Sequence, residues 1–525
     1  MPAESPQSSS HAAAPAPTAR TRSPTAGSVA RPSPVLDAVR SRVVAELAEF
    51  APAALDLGAR FCAAGHELAL VGGPVRDAFL NRLAPGGAVD LDLTTDAAPD
   101  ETLALLEGWA DATWEIGREY GTIGCRKGRS VLEVTTYRSD SYDPASRKPS
   151  VRFGTSLEGD LSRRDFTVNA MAVALPGLEF VDPYGGLTDL VGRMLRTPGT
   201  PEQSFGDDPL RMMRAARFVA QLGFSVAPEV EEAMRAMAER LGIVSAERVR
   251  TELEKLVLGR TPRAGLELMV DTGLADQVLP ELPALKLEID EHHRHKDVYE
   301  HTLTVLEQAI ALEDPPGDTS DGAVPAPDFV LRFAALMHDV GKPATRRFEP
   351  GGGVSFHHHE VVGAKMTARR MKALRFDSAT TKSVARLVEL HLRFHGYGGG
   401  QWTDSAVRRY VTDAGPLLPR LHRLTRADCT TRNRRKAAAL AASYDDLEQR
   451  VERLLEAEEL ASVRPDLDGT QIMALLGVRP GPLVGRAYKH LLALRMEHGP
   501  LPEEQARQAL LDWWEQQPES APPGT

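Results

Sequence analysis

A chain of 525 residues exceeds one ordinary domain, and 42% hydrophobic with 26% charged residues is the make-up of a globular protein of about two to four packed units. No apolar run is long enough for a bilayer crossing. Three widely separated cysteines (Cys62, Cys125, Cys429) exclude a disulfide framework and point to a reducing, cytoplasmic setting. The net charge of −11 does not exclude a nucleic-acid partner, because binding depends on where positive charge sits.

Residues 1–34 are rich in Pro, Ser, Ala and Thr with Glu4 the sole acid, a composition that predicts a disordered tail. Leu36, Val39, Val43, Leu47 and Phe50 then recur at helical spacing. Glu67–Val71 reads as a buried strand ending in Gly72-Gly73, and further strands are expected at 89–94, 122–125 and 131–137. From about Pro209 the periodicity is helical, broken by an exposed Gly/Pro/Asp-rich loop near 314–328 and a turn at Gly477–Gly485. The expected fold class is α+β: a mixed-sheet head followed by a long helical body.

The run Val71-Gly-Gly-Pro-Val-Arg-Asp77 leaves a strand and opens a helix. Glycines there let a backbone approach a polyphosphate, Pro74 suits the first helical turn, and Arg76 lies one turn in to pair with phosphate. Downstream, alternation puts Asp90 and Asp92 on one strand face. Adjacent carboxylates repel unless a cation neutralises them, and oxygen ligands suit Mg²⁺. A bare Asp-x-Asp is commonly a pair of surface acids; the preceding Gly-Gly turn shifts the balance to a metal-binding pair.

These residues, with Glu133-Val-Thr-Thr-Tyr-Arg138 and Arg163-Arg-Asp-Phe-Thr-Val-Asn-Ala170, resemble the head of the polymerase-beta-like nucleotidyltransferases. More narrowly, they resemble the class II CCA-adding tRNA nucleotidyltransferases and bacterial poly(A) polymerases, from about residue 65 to 260. Asp140–Pro149 stands where that family has a flexible loop. The resemblance implies Gly73, Arg76, Arg164 and Asp165 as nucleotide contacts, with Asn169 a weaker candidate. Glu133 is read as a strand residue rather than a third acid.

Asp207-Asp-Pro-Leu-Arg-Met-Met-Arg-Ala-Ala-Arg217 is expected to begin a helix, with Asp208, Arg211, Arg214 and Arg217 three apart. Asp208 accepting from the amine of C or A, beside Arg211 donating to ring acceptors, would reject U and G, which present a carbonyl there. Arg214 and Arg217 are left for phosphates. A surface helix with staggered salt bridges is the alternative; the family's Glu-Asp-x-x-Arg motif at this place favours function, with Asp207 departing from it. The helix around Glu247–Leu256 resembles the next family motif and is taken as structural support.

Ten of the 15 histidines fall between His292 and His395. His301, His338-Asp339, His359, His391 and Asp428 resemble the HD phosphohydrolase domain, a donor set suited to Mn²⁺, Ni²⁺ or Fe²⁺. His391 and His395 are four apart on an expected helix, while His357 and His358 are left unassigned. Basic residues around Asp428, in the Arg420–Lys436 run, and Arg486 with Lys489, are candidate contacts to acceptor-stem phosphates, against a bland solvated face.

The expected organisation is therefore a tail (1–34), a catalytic head (35–200), a helical neck that selects nucleotides and binds RNA (201–285), an HD-like helical domain (286–436) and a helical tail domain (437–525). The expected activity is Mg²⁺-dependent addition of CCA to the tRNA 3′ end from CTP and ATP, without a membrane. Poly(A) addition to RNA, or metal-dependent phosphohydrolysis at the HD-like region as the main activity, are the alternatives.

Overall fold

The computed structural model describes residues 34–83, 89–141, 150–154, 156–287, 298–350, 354–397, 402–431, 433–458 and 464–517. The expected tail over 1–33 and most of the Asp140–Pro149 loop lie outside the described residues. Helices Pro34–Phe50 and Pro52–Ala63 open the head; Val43, Leu47, Leu57 and Phe61 bury their apolar stripes.

Seven strands form one mixed sheet: β1 (Leu68–Val71), β2 (Val89–Thr95), β3 (Ala112–Trp114), β4 (Thr122–Lys127), β5 (Ser130–Thr136), β8 (Ala172–Leu175) and β9 (Glu179–Val181), in the order β3-β4-β5-β2-β1-β8-β9. Arg138–Ser141 (β6) and Ser150–Phe153 (β7) make a separate ribbon. Only β2 and β5 run parallel; every other neighbouring pair is antiparallel. Leu91, Leu93, Ile123, Cys125, Leu132 and Val134 turn into the core, which leaves the alternate residues on an open face.

Beyond the head the described residues are almost wholly helical. One hydrophobic core runs from Val43 to Leu454, so head, neck and HD region pack continuously. Arg332 joins the last two: it pairs with Glu313 and donates to the carbonyls of Val257 (3.0 Å) and Gly259 (2.9 Å). The 437–525 unit divides differently from the expectation. The Arg434–Glu458 helix buries Tyr444, Leu447, Val451 and Leu454 in the main core, and only Leu467, Ile472, Ala487, Leu491, Ala506 and Leu510 form a second one. Among the described residues no helix is long and apolar enough to cross a membrane.

Candidate active site and metal centre

Alternation along β2 and β5 sends Asp90, Asp92 and Glu133 to the open face, where all three are exposed. The parallel register sets Asp92 directly beside Glu133. The expectation that Glu133 is only a strand residue thus meets a different geometry: it is a third carboxylate next to the pair. Nothing local in the sequence reveals this, because register is a tertiary property.

Asp92 touches solvent, yet the turn and strands around it strip away much of its hydration. Desolvation raises its carboxyl above the ordinary range; Arg164 opposes this, Asp90 adds to it, and Arg214 and Arg76 oppose it. Glu133 is also raised, by desolvation and then by Asp92 and Asp90. Crowded carboxylate charge of this kind is relieved by a divalent cation, and oxygen donors fit a hard cation.

Beside them, β1 ends in a turn whose Gly72 has φ +73° and ψ −131° and caps the Gly73–Phe79 helix, with Pro74 in its first turn. A Cβ on Gly72 would stand 3.1 Å from Arg164 Nη1 and 3.6 Å from Asp92 Oδ2, whereas one on Gly73 has only Arg76 Nη2 near, at 3.9 Å. Of the two glycines expected to open the turn to a polyphosphate, Gly72 is therefore the one pressed against Asp92, whereas the resemblance implies Gly73 as the nucleotide contact.

The arginines differ in how far they are committed. Arg76 donates to Asp77 and to Asn169 Oδ1 (2.7 Å); Asn169 Nδ2 donates to Asp165 Oδ1 (2.9 Å), and Asp165 Oδ2 accepts from Arg214 Nε (2.7 Å). This chain ties the phosphate turn to the neck helix Leu210–Leu222. Burial works against ionisation of Asp165, but Arg214, Asn169 and Arg211 outweigh it and hold the carboxyl well below the usual range. Arg217 pairs with Glu252 Oε2 at 2.6 Å, so its charge is spent within the neck. Arg164 donates to Asp160 Oδ2 at 3.2 Å, while its buried Nε has no hydrogen-bond partner among the described residues.

The neck departs from the sequence expectation in one respect. Asp208 is not on the arginine helix: it has extended backbone after helix Pro201–Asp207, and the next helix starts at Leu210. Pro209 disfavours helical backbone in the residue before it, which separates the two helices. Asp208 accepts from the Leu210 N–H (3.1 Å) and from Arg248 Nη2 (2.8 Å). Arg211 is buried and donates to Ser204 Oγ (2.9 Å) and to the Arg163 carbonyl. The guanidinium in contact with Asp208 is thus Arg248, from the helix expected to be only structural support.

The HD region brings all six expected ligands together. His301 lies on helix Val298–Ala311 and His359 begins helix His359–Ala373; His338 and His391 cap helices Phe329–Met337 and Ser378–Leu390, and Asp428 caps Leu418–Ala427. Because its helix ends at Leu390, His391 does not share a helix with His395, whose side chain lies outside the described residues. Close approach of two backbones makes the cluster possible: a Cβ on Gly341 would overlap the His359 carbonyl.

Three of the imidazoles are aimed by carbonyls: Nδ1 of His338, His359 and His391 faces the oxygens of Ala335, Phe356 and Val388 at 2.7–2.9 Å, and His301 Nδ1 faces Thr430 Oγ1. This turns each Nε2 inward. His301, His338 and Asp428 form one group of converging donors, and Asp339, His359 and His391 another. Buried Nε2 atoms of His338, His359 and His391 have no hydrogen-bond partner among the described residues, as expected of atoms shaped for a metal, while Asp339 Oδ2 pairs with Lys342 Nζ at 2.9 Å. Burial and then His338 push His391 down to about 3, so its lone pair is free; burial opposes the proton on His338, but Asp339 and Asp428 push it up to about 10. His357 and His358 are exposed and stand apart.

The basic run is mostly structural. Arg420 pairs with Asp328 at 2.6 Å, Arg423 with Asp314, and Arg426 with Asp445 and Glu448. The first two pin the 314–328 loop. Arg434, Arg435 and Lys436 are exposed at the start of the next helix, while Arg432 lies outside the described residues.

Comparison with known proteins agrees with this geometry. Residues 68–196 match the poly A polymerase head domain, 223–285 the probable RNA- and SrmB-binding site of polymerase A, and 298–433 the HD domain. An A-adding tRNA nucleotidyltransferase of Deinococcus radiodurans is 35% identical over 465 residues, 86% of this chain and 96% of that one. A CCA-adding enzyme of Bacillus subtilis is 43% identical over 216 residues, 41% of this chain and 52% of the relative. The crystal structure of the Bacillus stearothermophilus CCA-adding enzyme in complex with CTP shares the fold with a TM-score of 0.60 at 24% identity, covering 88% of this chain and 97% of that one. Both the head chemistry of such enzymes and the HD domain are metal-dependent. With a near full-length relative above one-third identity, the three domain matches in order and the acid pair facing a glycine turn, this chain belongs to the family of tRNA nucleotidyltransferases that includes the CCA-adding and A-adding enzymes.

Proposed function

We propose that the chain adds CCA to the 3′ end of tRNA from CTP and ATP, releasing pyrophosphate at each step. The observation that carries this is the meeting of Asp90 and Asp92 with the Gly72 turn and the uncommitted edge of Arg164. Asp90, Asp92 and Glu133 would hold Mg²⁺, which supplies activation of the acceptor hydroxyl and charge neutralisation at the triphosphate. Arg164 is the guanidinium with donors to spare for phosphate oxygens, and the Arg76–Asn169–Asp165–Arg214 chain holds the turn rigid against the neck. Asp208 would accept from the base amine, with Arg211 donating once it releases Ser204 and the Arg163 carbonyl. The six-residue HD cluster would hold a transition metal such as Mn, Ni or Fe, supported by its mixed imidazole and carboxylate donors.

A second reading, addition of the terminal A alone, is favoured by the A-adding relative that matches over nearly its whole length. Labelled CTP and ATP, offered singly and together to tRNA transcripts ending before CCA and after CC, separate the two. Addition of C, C and A followed by arrest, lost in Asp92→Ala, supports CCA addition. Use of ATP alone, and only on the CC-ending transcript, supports the second reading; unlimited ATP tailing would overturn both in favour of poly(A) synthesis.

A further inference from the structure

Four strands place one residue each in a single row across the open face. Trp114 on β3 pairs with Gly124 on β4, Gly124 with Glu133 on β5, and Glu133 with Asp92 on β2. Residues paired across strands point to the same side, so Trp114 shares the face of the acid pair. Its indole leans inward over Gly124: a Cβ there would overlap Nε1 and Cε2 of the ring. The adjoining row runs from Ala112 through Arg126 and Val131 to Asp90. Arg126 is exposed and has no ion pair or hydrogen bond from its side chain among the described residues.

The acids thus divide the face. On the β1 side lie the Gly72 turn and Arg164, suited to the triphosphate. On the β4 side, about two strand spacings or ~10 Å from Asp92, lie an aromatic ring and a free guanidinium. In-line phosphoryl transfer needs the attacking oxygen opposite the departing pyrophosphate. A ring and a cation on the side away from the triphosphate are therefore placed for the attacking strand.

We propose that Trp114 and Arg126 form the docking strip for the last nucleotide of the acceptor RNA, Trp114 stacking on its base and Arg126 pairing with its phosphate. This rests on the nucleotidyl-transfer reading above and adds the residues that seat the acceptor. Stacking on an indole tolerates any base, which suits an acceptor whose terminal nucleotide changes with every addition. Gly124 has a defined part: any side chain there would lift the ring off the sheet.

A purely architectural role, the indole covering a glycine near a sheet edge, predicts different behaviour. Affinities would be measured for two tRNA transcripts, one intact and one with an abasic 3′-terminal nucleotide, on wild type, Trp114→Ala, Trp114→Leu and Trp114→Phe. Wild type should bind the abasic RNA about 5- to 150-fold more weakly, the usual size of one base–aromatic stack. Trp114→Ala and Trp114→Leu should bind intact RNA with a similar loss and show no further loss on abasic RNA, while Trp114→Phe keeps most of the difference. Independent, multiplying losses, or a Trp114→Leu protein that binds as wild type, would overturn the stacking assignment. Leu covers Gly124 without an aromatic face, so it reports even if the Ala variant fails to fold. Arg126→Gln should flatten the salt dependence of log affinity by about one unit of slope, and an unchanged slope would overturn the phosphate contact. If wild type extends no tRNA with CTP or ATP, the functional reading fails by itself, because these binding comparisons do not need turnover.

Discussion

Two neighbouring glycines should respond to the same substitution in opposite ways. Gly72 has φ +73° and ψ −131°, a conformation open almost only to glycine, and an added Cβ meets Arg164 Nη1 at 3.1 Å and Asp92 Oδ2 at 3.6 Å. Gly72→Ala therefore carries backbone strain of about 1–3 kcal/mol and pushes Arg164 aside by a few tenths of an ångström. Both effects fall on groups assigned to the triphosphate and metal, where small misplacements cost up to about 100-fold in rate. Gly73 lies inside the helix and its Cβ has only Arg76 Nη2 nearby, at 3.9 Å. Alanine there is free of protein clashes and gains roughly 0.5–1 kcal/mol of helical preference. Single-turnover extension of tRNA over a range of nucleotide concentrations, run beside thermal melts, is the assay. Gly72→Ala should lower the melting temperature and cut the maximal rate by about 10- to 100-fold in the same protein. Gly73→Ala should melt no lower than wild type and, if the nucleotide touches that backbone, raise only the nucleotide KM. A Gly72→Ala protein with unchanged melting temperature and rate would refute the reasoning.

Asp165→Asn removes the nearer of two acids facing Arg214, leaving Glu252 at 3.9 Å, and should cost about 1–3 kcal/mol at neutral pH, seen as a lowered melting temperature. Because the folded state holds the Asp165 carboxyl below its unfolded value, its contribution is present above about pH 4 and is lost as pH falls towards the folded pKa. Wild type should lose stability more steeply than the variant on acidification below that point; parallel pH profiles would count against it. Asp160, also buried and held low by Arg164 and Arg163 against desolvation, adds to the same acid window. His359→Ala should strip the transition metal, read by elemental analysis, while nucleotide addition in the head persists; metal retained at full occupancy would remove His359 from the cluster. Arg332→Met strands Glu313, whose side chain is 1% exposed, and should cost about 3–5 kcal/mol in a thermal melt. Adding Glu313→Gln should recover part of that loss, and a double variant no better than the single would contradict the charge argument.

Much of this was legible because it depends on local periodicity. Alternation in Val89–Thr95 put Asp90 and Asp92 on one face, and β1, β2, β4 and β5 lie where apolar runs between turn residues predicted them. The six candidate HD ligands could be chosen because their residue types and order carry the pattern, and they converge while His357 and His358 are exposed. The separation of Asp208 from its helix was also within reach, since Pro209 disfavours helix at the preceding residue.

What stayed hidden is pairing at long range. Arg217 and Glu252 are 35 positions apart, and Arg423 meets Asp314 across 109. A sequence shows that the charges exist but not which of them cancel, so arginines spent on acids look the same as arginines free for phosphate. Arg164 and Arg126 stand out only after Arg76, Arg217, Arg420 and Arg423 have been assigned their partners. The same holds for the row from Trp114 to Asp92. Its members come from four strands, and a slip of one residue in any pairing would send a side chain to the other face. The Gly72 turn is encoded locally, whereas the surface that receives the acceptor exists only once the sheet has closed its register.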